Sequence, residues 1–227
     1  MGGFSGRHEY LVYLPLYNGV TSVEVGIPKG HTLAKAPPRP EGRRKPVIFY
    51  GTSITQGGCA SRPGMVHTAI VGRQLDRAVI NLGFSGNGRM EPEIARLLAE
   101  VDAAAYVLDC VPNMTAAEVA ERTEPFVRIL RQARPSTPVL LVEDRTLPLA
   151  HAQESVRQRQ AAGRSALRKA YERLAAEQPS GLAYLEGDQL LGDDGEDTVD
   201  GSHPTDLGFL RQARAFFAAL KPLLAAP

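Results

Sequence analysis

Apolar and polar positions follow one rhythm up to about residue 45 and another after it. From Pro46 onward, short β-rich apolar runs are separated by longer stretches with helical spacing. The runs predict strands near residues 47–50, 78–82, 104–109, 138–143 and 182–185. The stretches between them predict helices near 65–75, 90–99, 115–133, 151–177 and 205–222. In 151–177, Val156, Ala161, Leu167, Ala170 and Leu174 recur with charge between them, the stripe of an amphipathic helix. Pro92 suits a first helical turn, where its missing N–H would be unpaired anyway. Pro125 falls inside 115–133, so that segment is expected to kink or split. Five β–α units of this length predict a parallel sheet covered by helices on both faces.

Upstream, residues 8–28 read as two strands. Tyr10, Val12 and Leu14 alternate with Leu11, Tyr13 and Leu16, and Asn18-Gly19 supplies a hairpin turn before Thr21–Ile27. Residues 29–45 are basic and proline-rich, a connector too poor in apolar residues to pack. The expected organisation is therefore a β-hairpin appendage and linker over 1–45, followed by the main domain over 46–227.

Composition narrows the function. With 26 basic and 25 acidic residues, the net charge of +1 gives no electrostatic footprint for nucleic acid or an anionic membrane. No apolar run approaches the roughly 18 residues of a membrane span. The first ten residues lack the apolar core of a signal peptide, so a cytoplasmic location is the default expectation unless a leader has been removed. Cys59 and Cys110 cannot make a disulfide framework, and two buried thiols are expected rather than one bridge.

The chemistry concentrates at two places. Gly51-Thr52-Ser53-Ile54-Thr55 follows the first strand, where open α/β sheets place ligands beyond the strands' carboxyl ends. Asp200-Gly201-Ser202-His203-Pro204 precedes the last helix, and the spacing predicts both side chains near one face of a helical turn. Serine needs a base in contact to become a nucleophile, and an imidazole with a pKa near ~6.5 suits that task. The imidazole in turn needs a carboxylate to hold its tautomer. Ser53, His203 and Asp200 supply the three parts. Negative charge developing on the ester oxygen needs donors placed in advance. The Gly83 backbone N–H, after the second strand, and the Asn113 side chain, after the third, are the candidates. Ser85 and Cys59 are weaker nucleophile candidates, and no histidine has metal-ligand spacing with a partner. No phosphate-loop lysine or dinucleotide fingerprint is present, so no cofactor is expected.

In order and in predicted place, these blocks over about residues 46–222 resemble the SGNH (GDSL-like) hydrolases, whose signature residues are serine, glycine, asparagine and histidine. The resemblance implies a flavodoxin-like three-layer fold around a five-stranded parallel sheet. It implies acyl-ester hydrolysis with Ser53 as nucleophile, no metal, and an oxyanion hole from the Ser53 and Gly83 N–H groups plus Asn113. The blocks are most similar to a bacterial branch with a β-rich module before the core, some of whose members remove acetyl groups from carbohydrates. This chain departs from the pattern with GTSIT for GDSL and with Cys110-Val111-Pro112-Asn113-Met114 for the usual third block. The expected partner is a small-molecule or carbohydrate ester, and a homo-oligomer is compatible with the sequence. A lysophospholipase or thioesterase on the same machinery, and a catalytically idle carbohydrate-binding module, are the rival readings.

Overall fold

The computed structural model describes residues 6–225. Five strands, β1 (Val47–Gly51), β2 (Val79–Gly83), β3 (Ala105–Asp109), β4 (Val139–Val142) and β5 (Leu182–Leu185), form one parallel sheet in the order β2-β1-β3-β4-β5. The helices are α1 (Ser53–Gln56), α2 (His67–Leu75), α3 (Pro92–Glu100), α4 (Ala116–Ala133), α5 (Leu149–Ala152), α6 (Glu154–Glu177) and α7 (Asp206–Ala225). This is the doubly wound order of flavodoxin-like sheets, and its topological switch point lies between β1 and β3.

The pleat sorts the core into two layers. Ile48 and Tyr50 of β1 face one way, with Tyr106, Leu108, Val139 and Leu141, and pack under α3, α4 and α6. Val47 and Phe49 face the other way, with Val107, Leu140 and Val142, and pack under α2 and α7. Both faces of β1, β3 and β4 are buried, which is why these strands read as continuous apolar runs. Pro125 does not split α4, which runs unbroken through it. Phe126, Val127 and Leu130 are buried on the turns that follow, and their packing offsets the one missing backbone bond.

The N-terminal hairpin does not form: no strand precedes Val47 among the described residues. Val23, Val25 and Ile27 are all more than two-fifths exposed, so the apolar face of the alternating pattern has no surface to cover. A two-stranded pair without such a surface is marginal in water. The segment instead passes as an extended strap over the domain. Leu16 packs with Ile54, Val66 and Phe209, and Arg73 Nη1 donates to the Tyr13 hydroxyl at 2.8 Å. The cysteines are both free thiols, but only Cys110 is buried; Cys59 is exposed, at a backbone φ of +71°.

Candidate active site

Ser53 opens α1 immediately past β1. The intervening Thr52 is extended, and its Oγ1 accepts from the Ile54 N–H at 3.3 Å, so one capping residue turns strand into helix. Gly57 stops the helix at φ +112°, a conformation side chains rarely adopt. The N–H groups of Gly57 and Gly58 both donate to the Ser53 carbonyl, at 2.9 and 2.8 Å. This short helix has no periodicity to read, and the sequence pattern does not reveal it.

Neighbouring strands pin α1. The Asn81 amide donates to the Thr55 carbonyl at 2.8 Å, and Gln56 accepts from the Ser85 N–H at 3.0 Å. Gly83 lies so close beneath that a Cβ there would stand 1.9 Å from the Gln56 nitrogen. From the other side, Thr55 Oγ1 donates to Asp109 Oδ2 at 3.0 Å.

The three residues singled out for catalysis are brought together. Ser53 Oγ lies 2.9 Å from His203 Nε2, and His203 Nδ1 lies 2.8 Å from Asp200 Oδ2. The second Asp200 oxygen accepts from the N–H groups of Ser202 and His203, at 2.9 and 2.7 Å. Partial burial pushes the Asp200 carboxyl up. The bonds from the His203 ring and from the two backbone N–H groups outweigh it and bring the group down to about 2. Asp200 and His203 do not share a helical turn as their spacing suggested. They sit in a loop closed by an antiparallel bridge between Thr198 and Pro204, and α7 begins only at Asp206. An aspartate bonding the backbone two and three residues ahead competes with helix, and it prevails here.

The donor loops need one correction. The Gly83 N–H is spent on Asn81 Oδ1 at 2.9 Å, so it has nothing to offer an oxyanion. Three residues on, the Gly86 N–H donates to no group among the described residues. Asn113 ends a one-turn 3-10 segment after β3, and its amide gives one hydrogen to the Asn87 carbonyl at 2.7 Å. That bond ties Asn113 to the Asn87-Gly88 peptide, next to Gly86, and leaves its second N–H available. The Ser53 N–H, first in α1, has no intrahelical acceptor. Free donors therefore gather from α1, from the loop after β2 and from the loop after β3.

A model of the GDSL-like lipase/acylhydrolase family matches residues 44–221. The chain belongs to this family. A protein of Bacteroides ovatus described as a GDSL-like lipase is 39% identical to the chain, with a TM-score of 0.77 over 81% of this chain and 54% of that one. The salicylyl-acyltransferase SsfX3 from a tetracycline biosynthetic pathway is 22% identical, with a TM-score of 0.69 over 81% and 56%. A family two carbohydrate esterase from Clostridium thermocellum, solved with cellohexaose, is 15% identical, with a TM-score of 0.62 over 82% and 66%. The chain thus spans little more than half the length of the first two of these solved chains. Among curated proteins, none matches.

Behind Ser53 lies a buried polar cluster that sequence reasoning missed. Arg145 and Asp109 are both fully buried, and Arg145 Nη2 reaches the two Asp109 oxygens at 3.1 and 2.9 Å and Gln212 Oε1 at 3.1 Å. The only signal in the sequence is charge at the end of apolar strands. His67, by contrast, is a core residue, stacked on Phe209 and Phe216. Burial holds its imidazole well below the ordinary histidine range, and the charge of Arg145 acts in the same direction. Tyr17, on the strap, borders the triad: a Cβ at Gly58 would meet its hydroxyl at 3.0 Å and the His203 ring at 3.2 Å. Among the described residues, no group of three His, Cys, Asp or Glu is placed to hold a metal, and no helix is long and apolar enough to cross a membrane.

Proposed function

We propose that the chain is a serine ester hydrolase that removes short, acetyl-type acyl groups, including those carried by carbohydrates, through an acyl-enzyme. The observation that carries this reading is the continuous line from Asp200 through His203 to Ser53, with contacts of 2.8 and 2.9 Å. His203 Nε2 takes the Ser53 proton as Oγ attacks the ester carbonyl carbon, and the carbonyl electron pair moves onto oxygen. The N–H groups of Ser53 and Gly86 and the free N–H of Asn113 receive that charge; each such donor is worth roughly 10² to 10³ in rate. Collapse expels the alcohol, which takes its proton from His203. A water then attacks the acyl carbon with His203 again as base, releasing the acid and restoring Ser53. Asp200 stays ionised throughout and holds the Nδ1 proton, so the Nε2 lone pair faces the serine.

The short acyl group is supported by the sequence between the strands, which carries no long apolar insertion that could form a lid over the site. The carbohydrate side of the reading is supported by the carbohydrate esterase among the structural relatives. An assembled nucleophile, base and acid favour an enzyme over an idle binding module. The test is hydrolysis of p-nitrophenyl acetate together with labelling by a fluorophosphonate. Ser53→Ala loses both while its thermal unfolding stays cooperative. Turnover retained in this variant would overturn the assignment. A series from acetate to octanoate esters then separates the short-acyl reading, in which rates fall with length, from a lysophospholipase or thioesterase.

A further inference from the structure

Asn113 also lines a second cavity, of about 510 Å³, that the triad does not use. Its lining combines apolar Pro112 and Met114 with two guanidinium groups, those of Arg89 and Arg159, and one carboxylate, that of Glu118.

The charges do not cancel. Glu118 Oε2 is committed to the cap of α4, accepting from the Thr115 N–H at 2.8 Å and its hydroxyl at 3.0 Å. Glu118 Oε1 lies 3.5 Å from Arg122 and 3.7 Å from Arg89 Nη1, the latter beyond hydrogen-bond length. Arg159 makes no hydrogen bond or ion pair among the described residues, and its charge acts only at a distance on the buried Asp144 carboxylate. Arg89 is fixed in place from its backbone outward. Its N–H donates to Glu91 at 3.1 Å, and its carbonyl accepts from Arg122 at 3.1 Å. Yet Arg89 Nε is buried without an acceptor. That nitrogen is closed to solvent, so a ligand in the cavity meets the exposed Nη end of Arg89, whose paired N–H groups suit a carboxylate.

We infer that this cavity is a subsite for a carboxylate carried by the substrate, held by Arg89 and Arg159 while the ester carbonyl sits at Asn113. The inference rests on the ester-hydrolase reading and names its substrate class: esters with an acidic acyl part, such as dicarboxylic hemiesters, or with an acidic alcohol part, such as acetylated uronates.

Two pairs of substrates test it. 4-Nitrophenyl hemiglutarate is compared with its neutral methyl ester, and an acetylated glucuronate with its methyl ester. In one arm the carboxylate form is expected to have about tenfold higher kcat/KM at low salt, and the arm that shows it tells whether the acid lies on the acyl or the alcohol side. The preference should fall close to parity in Arg159→Gln and Arg89→Gln, and shrink toward about 0.5 M salt. Parity in both arms of the wild-type protein, or a preference that survives both substitutions, overturns the subsite. If none of the esters is hydrolysed, the ester-hydrolase reading fails by itself. The subsite is then read by calorimetry of monomethyl glutarate against dimethyl glutarate. Binding of the anion alone, lost in Arg159→Gln, upholds it, and equal or absent binding overturns it.

Discussion

Replacing Arg145 with methionine removes the buried cation that pairs with Asp109 at the centre of the domain. Both Arg145 and Asp109 have 0% of their side chains exposed, so water cannot take the place of the guanidinium. In Arg145→Met the Asp109 carboxylate keeps one hydrogen bond, from Thr55 Oγ1 at 3.0 Å, and loses two contacts at 3.1 and 2.9 Å. Breaking a buried pair from one side costs about 3–5 kcal/mol, because an uncompensated charge remains. For a chain of this length that corresponds to a fall of about 6–20 °C in the unfolding midpoint. The double variant Asp109→Asn/Arg145→Met removes the stranded charge as well, and should recover much of the loss. Urea unfolding of the wild type, both single variants and the double variant gives the coupling energy directly. If Arg145→Met unfolds within about 1 kcal/mol of wild type, or if the effects of the two substitutions simply add, the pair does not hold the site from beneath.

Other perturbations probe the remaining parts. Asn113→Ala deletes one oxyanion donor and should lower kcat about 10²- to 10³-fold with little change in KM, which steady-state kinetics on an aryl acetate will measure. Gly83→Ala places a methyl group 1.9 Å from the Gln56 nitrogen; α1 must shift, and both thermal stability and fluorophosphonate labelling should drop together. Because the folded-state pKa of Asp200 is depressed to about 2, its bonds contribute stability that is present above the ordinary carboxylate pKa of ~3.9 and lost as pH falls through about 2. The difference in urea midpoint between wild type and Asp200→Asn should therefore be constant from pH 7 to about 5 and vanish toward pH 2, and a difference that persists at pH 2 would assign it to something other than this carboxylate.

What the sequence makes legible is whatever rests on repetition. β1, β3 and β4 are buried on both faces, so their apolar runs stand out, and the stripe of α6 follows from Val156 to Leu174. The hairpin expected over residues 8–28 has the same alternating signature, but alternation reports only what a strand could bury, and nothing covers Val23, Val25 and Ile27. The triad is readable because serine, histidine and aspartate each have a distinct chemical task. The donor glycine is not, since Gly83 closes β2, Gly86 lies three residues beyond it, and the sequence does not show where their N–H groups go. The Gly83 N–H donates to the Asn81 side chain two residues back at 2.9 Å, and that side chain is held in place by the distant Thr55 carbonyl and Thr68 hydroxyl.

The placement of Ser53 follows from the same distinction. A four-residue helix has too few internal bonds to hold its own geometry. Here its position is imposed by side chains from the strands on either side of β1: Asn81 of β2 takes the Thr55 carbonyl, and Asp109 of β3 takes the Thr55 hydroxyl. Asp109 is itself fixed by Arg145 beyond β4, and Arg145 by Gln212 of α7. The nucleophile is therefore suspended between elements that meet only once the whole sheet has assembled. His203 approaches on the separate loop that Asp200 closes. A substitution in the buried cluster should thus displace Ser53 while leaving the Asp200–His203 contact of 2.8 Å in place. It follows that Arg145→Met should lower kcat by more than its unfolded fraction explains. A loss of activity that merely tracks the unfolded fraction would mean that the cluster stabilises the fold without positioning the serine.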